Sequence, residues 1–261
     1  MCYDKSYLTK KLERYARRYG DSPEEVEHLR SQLELLNLPP TYHASGFDHP
    51  LVPLIINKQK QIVKMSWGLI PAWVKSPAEA VHISNSTINA RAETMFEKPA
   101  FREPARHRRC LILVDGFFEH HHKNNKTFPY RIHFKDDAPM TLAGLWDEWT
   151  DPASGLVRQT YTLVTTQANP LMARIHNNPK LEEGPRMPLI LPPEAEWEWL
   201  RPISTEADQK LIQDLVRSYD EQALEAYTVR RLRGKEAVGN KAEALAPYSY
   251  AELETQQGSL F

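Results

Sequence analysis

Cys110-Leu111-Ile112-Leu113-Val114-Asp115-Gly116-Phe117-Phe118-Glu119 is the run on which the fold turns. Five apolar residues, an Asp-Gly break and two phenylalanines read as buried strand, and a carboxylate, Glu119, ends it where a core would prefer none. Outward from this run, residues 54–56, 62–67, 130–134, 141–146, 160–166 and 187–191 are further short β-like segments, most of them bounded by Pro, Gly, Asn or Asp. Several alternate apolar and polar residues. The pattern predicts an α+β chain whose twisted, mostly antiparallel β-sheets form an open barrel-like core with flanking helices. Tyr7, Leu8, Leu12, Tyr15, Ala16 and Tyr19 recur at helical spacing up to Gly20. A second helix starts at Ser22 with Pro23 in its first position and Glu25 completing a capping box, runs along Val26, Leu29, Leu33 and Leu36, and stops at Pro39-Pro40. Together these predict a helical hairpin over about 5–38, inserted in a single domain of residues 1–235. Helices return at 193–200 and 204–217, and residues 236–261 read as a polar tail.

Composition narrows the function classes. With 41% hydrophobic residues and a net charge of −1, the chain suits one large soluble core and excludes a uniformly basic nucleic-acid coat. Local positive charge is another matter: Arg102, Arg106, His107, Arg108 and Arg109 crowd one stretch, and Arg230, Arg231, Arg233 and Lys235 another. Each is either a solvated run or a phosphate-binding face. No apolar run approaches the roughly 20 residues of a membrane span, and the N-terminus lacks the apolar core of a signal peptide, so the expected location is cytoplasmic. Cys2 and Cys110 are too few for a disulfide framework or a Cys-rich zinc site. No metal or other cofactor is expected.

One of those two cysteines follows the initiator. Removing Met1 would leave Cys2 with an α-amine and a thiol on neighbouring carbons, a 1,2-aminothiol that condenses with an aldehyde and closes to a thiazolidine. An unperturbed α-amine titrates near 7.7–8.0 and a thiol near 8.5, so roughly a tenth of the amine is an uncharged nucleophile at neutral pH. A buried, inert structural thiol is the plainer alternative. Further polar residues interrupt the β-rich region at Asn89-Ala90-Arg91-Ala92-Glu93, at Glu119, at His176 and at Arg186-Met187-Pro188.

In order, Cys2, Trp67-Gly68-Leu69-Ile70-Pro71-Ala72-Trp73, Asn89-Ala90-Arg91-Ala92-Glu93-Thr94, Arg109-Cys110-Leu111, Asp115-Gly116-Phe117-Phe118-Glu119, Ala143-Gly144-Leu145-Trp146, Ala168-Asn169, His176 and Arg186-Met187-Pro188 strongly resemble the SOS-response-associated peptidase-like (SRAP) family from Cys2 to about Tyr227. That resemblance implies a twisted α+β domain that senses abasic sites in single-stranded DNA and, through Cys2, forms a covalent thiazolidine crosslink that shields the lesion. Autopeptidase removal of Met1 and lyase-type activity come with it. Asn89 would position the linkage, Glu119 would move protons at the amine and the opening sugar, and His176 would act on the sugar's ring oxygen. Arg91 would hold a flanking phosphate, Trp67 and Pro71 would lie near a wedge for unstacked DNA, and Arg186 would join the DNA contacts. A nucleoid-associated protein is then expected.

The chain also departs from the family pattern. Glycine and arginine usually follow the cysteine; here Tyr3 and Asp4 do, with Lys5 the one nearby replacement for the lost phosphate contact. His120, His121 and His122 follow Glu119 in place of tryptophan, and residues 177–185 lengthen the connection after His176. At the C-terminus, Gln257, Leu260 and Phe261 resemble the peptide with which bacterial DNA-repair proteins engage the sliding clamp. Two other functions fit the same residues: an N-terminal-nucleophile amidohydrolase using Cys2, and a non-catalytic single-stranded-DNA or clamp-binding adaptor.

Overall fold

The computed structural model describes residues 2–179 and 184–254. Five strands close into a ring: β3 (Leu51–Ile55), β4 (Ile62–Trp67), β6 (Arg109–Val114), β9 (Met140–Thr150) and β10 (Val157–Gln167). Neighbours are antiparallel except for β10 beside β4, where Tyr161 pairs with Trp67 in parallel. The predicted open barrel is therefore closed, because β10 is long enough to pair with β9 over Val157–Leu163 and with β4 at Thr160 and Tyr161. Further along, β10 takes up β5 (Asn89–Arg91) and β11 (Arg186–Pro188). A second, antiparallel sheet is ordered β12 (Leu224–Thr228), β8 (Lys126–Phe134), β7 (Gly116–Lys123), β1 (Asp4–Tyr7), β2 (Thr41–Ser45).

The run 110–119 joins the two layers. Every residue of β6 is buried, which is why it reads as unbroken apolar sequence rather than as alternation. Asp115 breaks the run, and β7 continues it in the other sheet. Gly116 is required there: a Cβ would stand 2.5 Å from the Ile132 carbonyl oxygen of β8. Asp115 is fully buried, and its carboxylate accepts from the Thr9 N–H (2.8 Å), the Thr9 hydroxyl (2.7 Å) and the Tyr15 hydroxyl. It thereby fastens helix α1 (Leu12–Tyr19) to the junction. We expect Asp115→Ala to strand three donors and to lower stability by about 3 kcal/mol or more, read as a shifted urea midpoint at unchanged slope.

The hairpin is shorter than predicted: Tyr7 belongs to β1, and the helices are α1 and α2 (Pro23–Leu35). Periodicity alone could not separate an edge of strand from a first turn of helix. Ser22 does cap α2, accepting from the Glu25 N–H at 3.2 Å. The later helices are α3 (Pro77–Ser86), α4 (Arg102–His107), α5 (Pro170–Ile175), α6 (Pro193–Trp199), α7 (Glu206–Asp214) and α8 (Ala251–Glu254). Residues 236–254, read as tail, instead fold back on the outer face of the second sheet. Val229, Leu232 and Ala244 pack with Phe118 there, Pro247 bridges to Val229, and the Tyr250 hydroxyl donates to the Val229 carbonyl. A few apolar residues in polar surroundings were enough to dock it, a signal too sparse for composition to reveal. No helix among the described residues is long and apolar enough to cross a membrane.

Candidate active site

Strand β1 lies against β7, with Asp4 opposite Phe118 and Lys5 opposite Phe117. Cys2 is buried, and its thiol donates to the Asp4 carbonyl at 3.6 Å. Burial, reinforced by the nearby Glu119 carboxylate, pushes that thiol up to about 12, so the sulfur is protonated at neutral pH. Glu119 is buried on β7, and burial raises its carboxyl to about 7; one oxygen accepts from the His120 N–H at 3.0 Å. The other lies 3.7 Å from Nδ1 of His176.

His176 is delivered by α5. The Asn169 side chain caps that helix by accepting from the Met172 N–H at 2.8 Å, while its amide donates to the Tyr219 carbonyl, which accounts for the Ala168-Asn169 motif. The helix stops at His176, whose Nδ1 lies 2.9 Å from the Arg186 carbonyl oxygen. The Arg186 N–H also lies 3.3 Å from Nδ1, but the carbonyl oxygen is the nearer partner, and donating to it places the imidazole proton on Nδ1 with the lone pair on Nε2. Burial holds the ring down to about 4, so it is neutral in the physiological range. Residues 177–185 lengthen the chain here without separating His176 from Glu119.

Asn89 and Arg91 stand two residues apart on β5, opposite Leu163 and Thr165 of β10, and so share one face. The Asn89 side-chain oxygen is buried with no hydrogen-bond partner among the described residues. Three other predicted contacts change character. Trp67 is fully enclosed, its ring stacked on Tyr161 and its N–H donating to the Ile88 carbonyl, and Pro71 is buried, so neither presents a face to a strand. Trp73, 49% exposed, is the tryptophan of that segment that meets solvent. Arg186 is also buried: it donates to Glu93 (2.7 Å) and to the Thr165 carbonyl (2.8 Å), bracing β11 against β5 and β10. Gly68 between these segments has φ +110°, and a Cβ there would come within 2.6 Å of His49.

The positive clusters resolve differently. Arg109 is buried and its guanidinium donates to the carbonyls of Trp199, Ala105, Arg106 and Arg201, a purely structural use. The 230–235 cluster reaches the site. Arg233 donates to Asp4 at 2.6 Å, and His43 holds the other Asp4 oxygen at 2.9 Å, which keeps that buried carboxyl below its ordinary range. Lys5 cannot supply a phosphate contact: it is fully buried, 3.6 Å above the Trp67 ring and 2.5 Å from the Tyr161 hydroxyl, and desolvation lowers its ammonium to about 7. The Asp4–His43–Arg233 group went unread in the sequence because its members are 39 and 229 positions from one another's partner in the chain. Of the three histidines, His121 turns toward α5 and meets the Arg174 carbonyl, while His120 and His122 face a cavity of about 360 Å³ shared with Tyr3, Glu119, His176 and Arg233. No three His, Cys, Asp or Glu side chains gather as a metal site among the described residues.

Fold and site together define a closed-barrel α+β protein with a buried cysteine at residue 2 beside a carboxyl–imidazole pair. The SOS response associated peptidase (SRAP) profile matches residues 1–235, and the chain belongs to that family. It is 38% identical over 194 residues to the abasic site processing protein YoqW of Bacillus subtilis, covering 74% of this chain and 80% of that one. To the abasic site processing protein HMCES of Xenopus tropicalis it is 31% identical over 163 residues, 55% of this chain and 46% of that protein. A crystal structure of a Bacteroides thetaiotaomicron protein superposes with a TM-score of 0.74 at 35% identity, covering 88% of this chain and 93% of that chain.

Proposed function

We propose that this protein processes abasic sites in single-stranded DNA, and that Cys2, once Met1 is removed, captures the open-chain sugar as a thiazolidine. The observation that carries the reading is the buried Glu119–His176 pair beside Cys2, 3.7 Å apart, with one group raised to about 7 and the other lowered to about 4. Opposite shifts divide the labour of proton transfer. Protonated Glu119 is the acid and neutral His176, through Nε2, is the base, whereas the family resemblance has His176 act on the sugar's ring oxygen. Opening the hemiacetal needs a proton taken from the C1′ hydroxyl and one given to the ring oxygen. The α-amine then adds to the C1′ aldehyde, the proton it sheds returns to the Glu119 carboxylate, and Glu119 delivers that proton to the departing hydroxyl so that water leaves and an imine forms.

Sulfur acts last. A thiol held near 12 is a poor first nucleophile, so the amine leads and the S–H adds across the imine, its proton passing to nitrogen as the C–S bond closes the ring. Aldehyde and aminothiol thus give thiazolidine and one water. The unpartnered Asn89 oxygen suits the amine or carbinolamine as acceptor, and Arg91 on the same face suits a phosphate. An amidohydrolase would need a thiol–imidazole contact, whereas the Cys2 thiol donates to the Asp4 carbonyl.

Incubation of Met1-free protein with a single strand bearing one abasic site tests the reading. A denaturant-stable conjugate is expected, with mass spectrometry placing the deoxyribose remnant on residue 2. A conjugate mapped elsewhere, or free DNA throughout, rules it out. The clamp peptide Gln257, Leu260 and Phe261 lies outside the described residues and belongs to the same proposal, as does nucleoid association. Changing Leu260 and Phe261 to alanine is expected to abolish capture by an immobilised bacterial clamp.

A further inference from the structure

The cavity lined by Glu119 and His176 also contains features that capture of a sugar does not use. At about 360 Å³ it lies near the lower end of small-ligand pockets, which run from about 300 to 1,000 Å³, enough for one nucleotide. Tyr3, directly after the reacting cysteine, lines it. Its ring packs on Phe47, which lies outside the cavity lining and is 47% exposed, at 5.0 Å between centroids and a 32° tilt, so the Tyr3 ring is backed by a second aromatic ring at the cavity edge. The Tyr3 backbone is pinned as well, its carbonyl accepting from the Gly46 N–H at 2.7 Å. Arg233 lines the same cavity with its side chain 48% exposed. One Nη is committed to Asp4, itself held by His43, so the guanidinium is oriented by a buried carboxylate while its remaining N–H groups have no partner among the described residues. Its neighbour Arg231 is used differently: it donates to the Thr127 carbonyl and covers Phe128 and Tyr250, fixing the segment that presents Arg233.

We propose that this cavity seats the nucleotide next to the captured sugar, with its phosphate on Arg233 and its base on the Tyr3 ring, and that Asp4 is a positioning residue for Arg233. The inference rests on the abasic-site reading above and adds a flanking-nucleotide subsite to it. A stacking surface is tolerant of base identity because every base has a π-face, and a guanidinium fork reads only phosphate. The subsite therefore demands that a neighbouring base exist and leaves its identity open.

Reversible binding isolates this subsite from the chemistry. In the Cys2→Ala background, full-length protein is titrated with single strands containing a tetrahydrofuran abasic analogue, flanked either by thymidines or by further tetrahydrofuran residues. Tyr3→Ala is expected to weaken binding about 5- to 150-fold on the thymidine-flanked strand and to leave the spacer-flanked strand unchanged, while Tyr3→Phe binds both as the parent does. Arg233→Ala should lower the slope of log K against log salt by about 0.7 on both strands. Arg233→Lys, which keeps a charge against Asp4, should keep the slope but lose affinity, and Asp4→Asn should resemble it. Equal losses for Tyr3→Ala on both strands, or an unchanged salt slope in Arg233→Ala, overturn the subsite. If parent protein with Cys2 intact crosslinks normally while these variants bind unchanged, the subsite alone falls. If the predicted binding losses appear but no crosslink forms, the subsite stands and the covalent reading falls.

Discussion

Cys2→Ala is expected to eliminate the denaturant-stable conjugate and to replace it with strand cleavage. Alanine at position 2 still permits removal of Met1, so the variant presents an α-amine to the same aldehyde and forms the same imine. It has no thiol to add across the C=N bond. The imine persists beside an acidic C2′ proton, and loss of that proton expels the 3′-phosphate by β-elimination. Denaturing gels of an end-labelled strand should therefore show the thiazolidine conjugate below detection and a cleaved product, and borohydride present during the reaction should reduce the imine to a stable secondary-amine adduct at the expense of cleavage. Cys2→Ser, with an oxygen that closes a less durable ring, should fall between. A wild-type level of stable conjugate in Cys2→Ala would exclude the thiazolidine. An unreacted, uncut strand would mean that the amine never engages the sugar.

Glu119→Gln is expected to slow conjugate formation by about 10²-fold or more while making the protein more stable at alkaline pH. Both effects follow from one buried carboxyl. As an acid raised to about 7, Glu119 is substantially protonated at neutral pH and able to donate, so the wild-type rate should fall as pH rises through about 7. Glutamine cannot donate a proton, and that limb of the profile should vanish with the rate. The sign of the stability effect is set by the same shift. A carboxyl whose folded pKa is raised from 4.5 to about 7 contributes stability that is fully present below 4.5 and is lost as pH rises through about 7. The neutral amide escapes that loss, so at pH 8 Glu119→Gln should exceed wild type by something on the order of 3 kcal/mol in urea unfolding, with little difference at pH 4. Slower chemistry without added stability would point to a carboxylate that is solvated in the folded protein.

The part of this design legible in the residues was its strand content and its local punctuation. The runs at 62–67 and 160–166 are recognisable because a buried strand needs apolar and β-branched side chains wherever it lies. The capped start at Ser22 is recognisable because its partner, Glu25, is three residues away. The joint spacing of Cys2, Asn89, Glu119 and His176 was legible as a family pattern. Local sequence could not tell that Tyr7 is strand rather than helix, that the 236–254 segment docks on Phe118, or that Trp67 and Arg186 face inward. Aromatic and arginine side chains serve equally in a core brace or on a DNA strand, and burial makes that choice.

Sequence by itself determined an α+β chain rich in short strands, a thiol at residue 2, and a carboxylate and an imidazole standing in family register with it, because residue type and local spacing carry that information. Tertiary structure alone decided that the barrel closes, that Glu119 and His176 meet with their proton affinities moved in opposite directions, and that an arginine near position 230 is anchored by the aspartate at position 4. Those outcomes depend on desolvation and on contacts between residues far apart in the chain, and both exist only once the two sheets have packed.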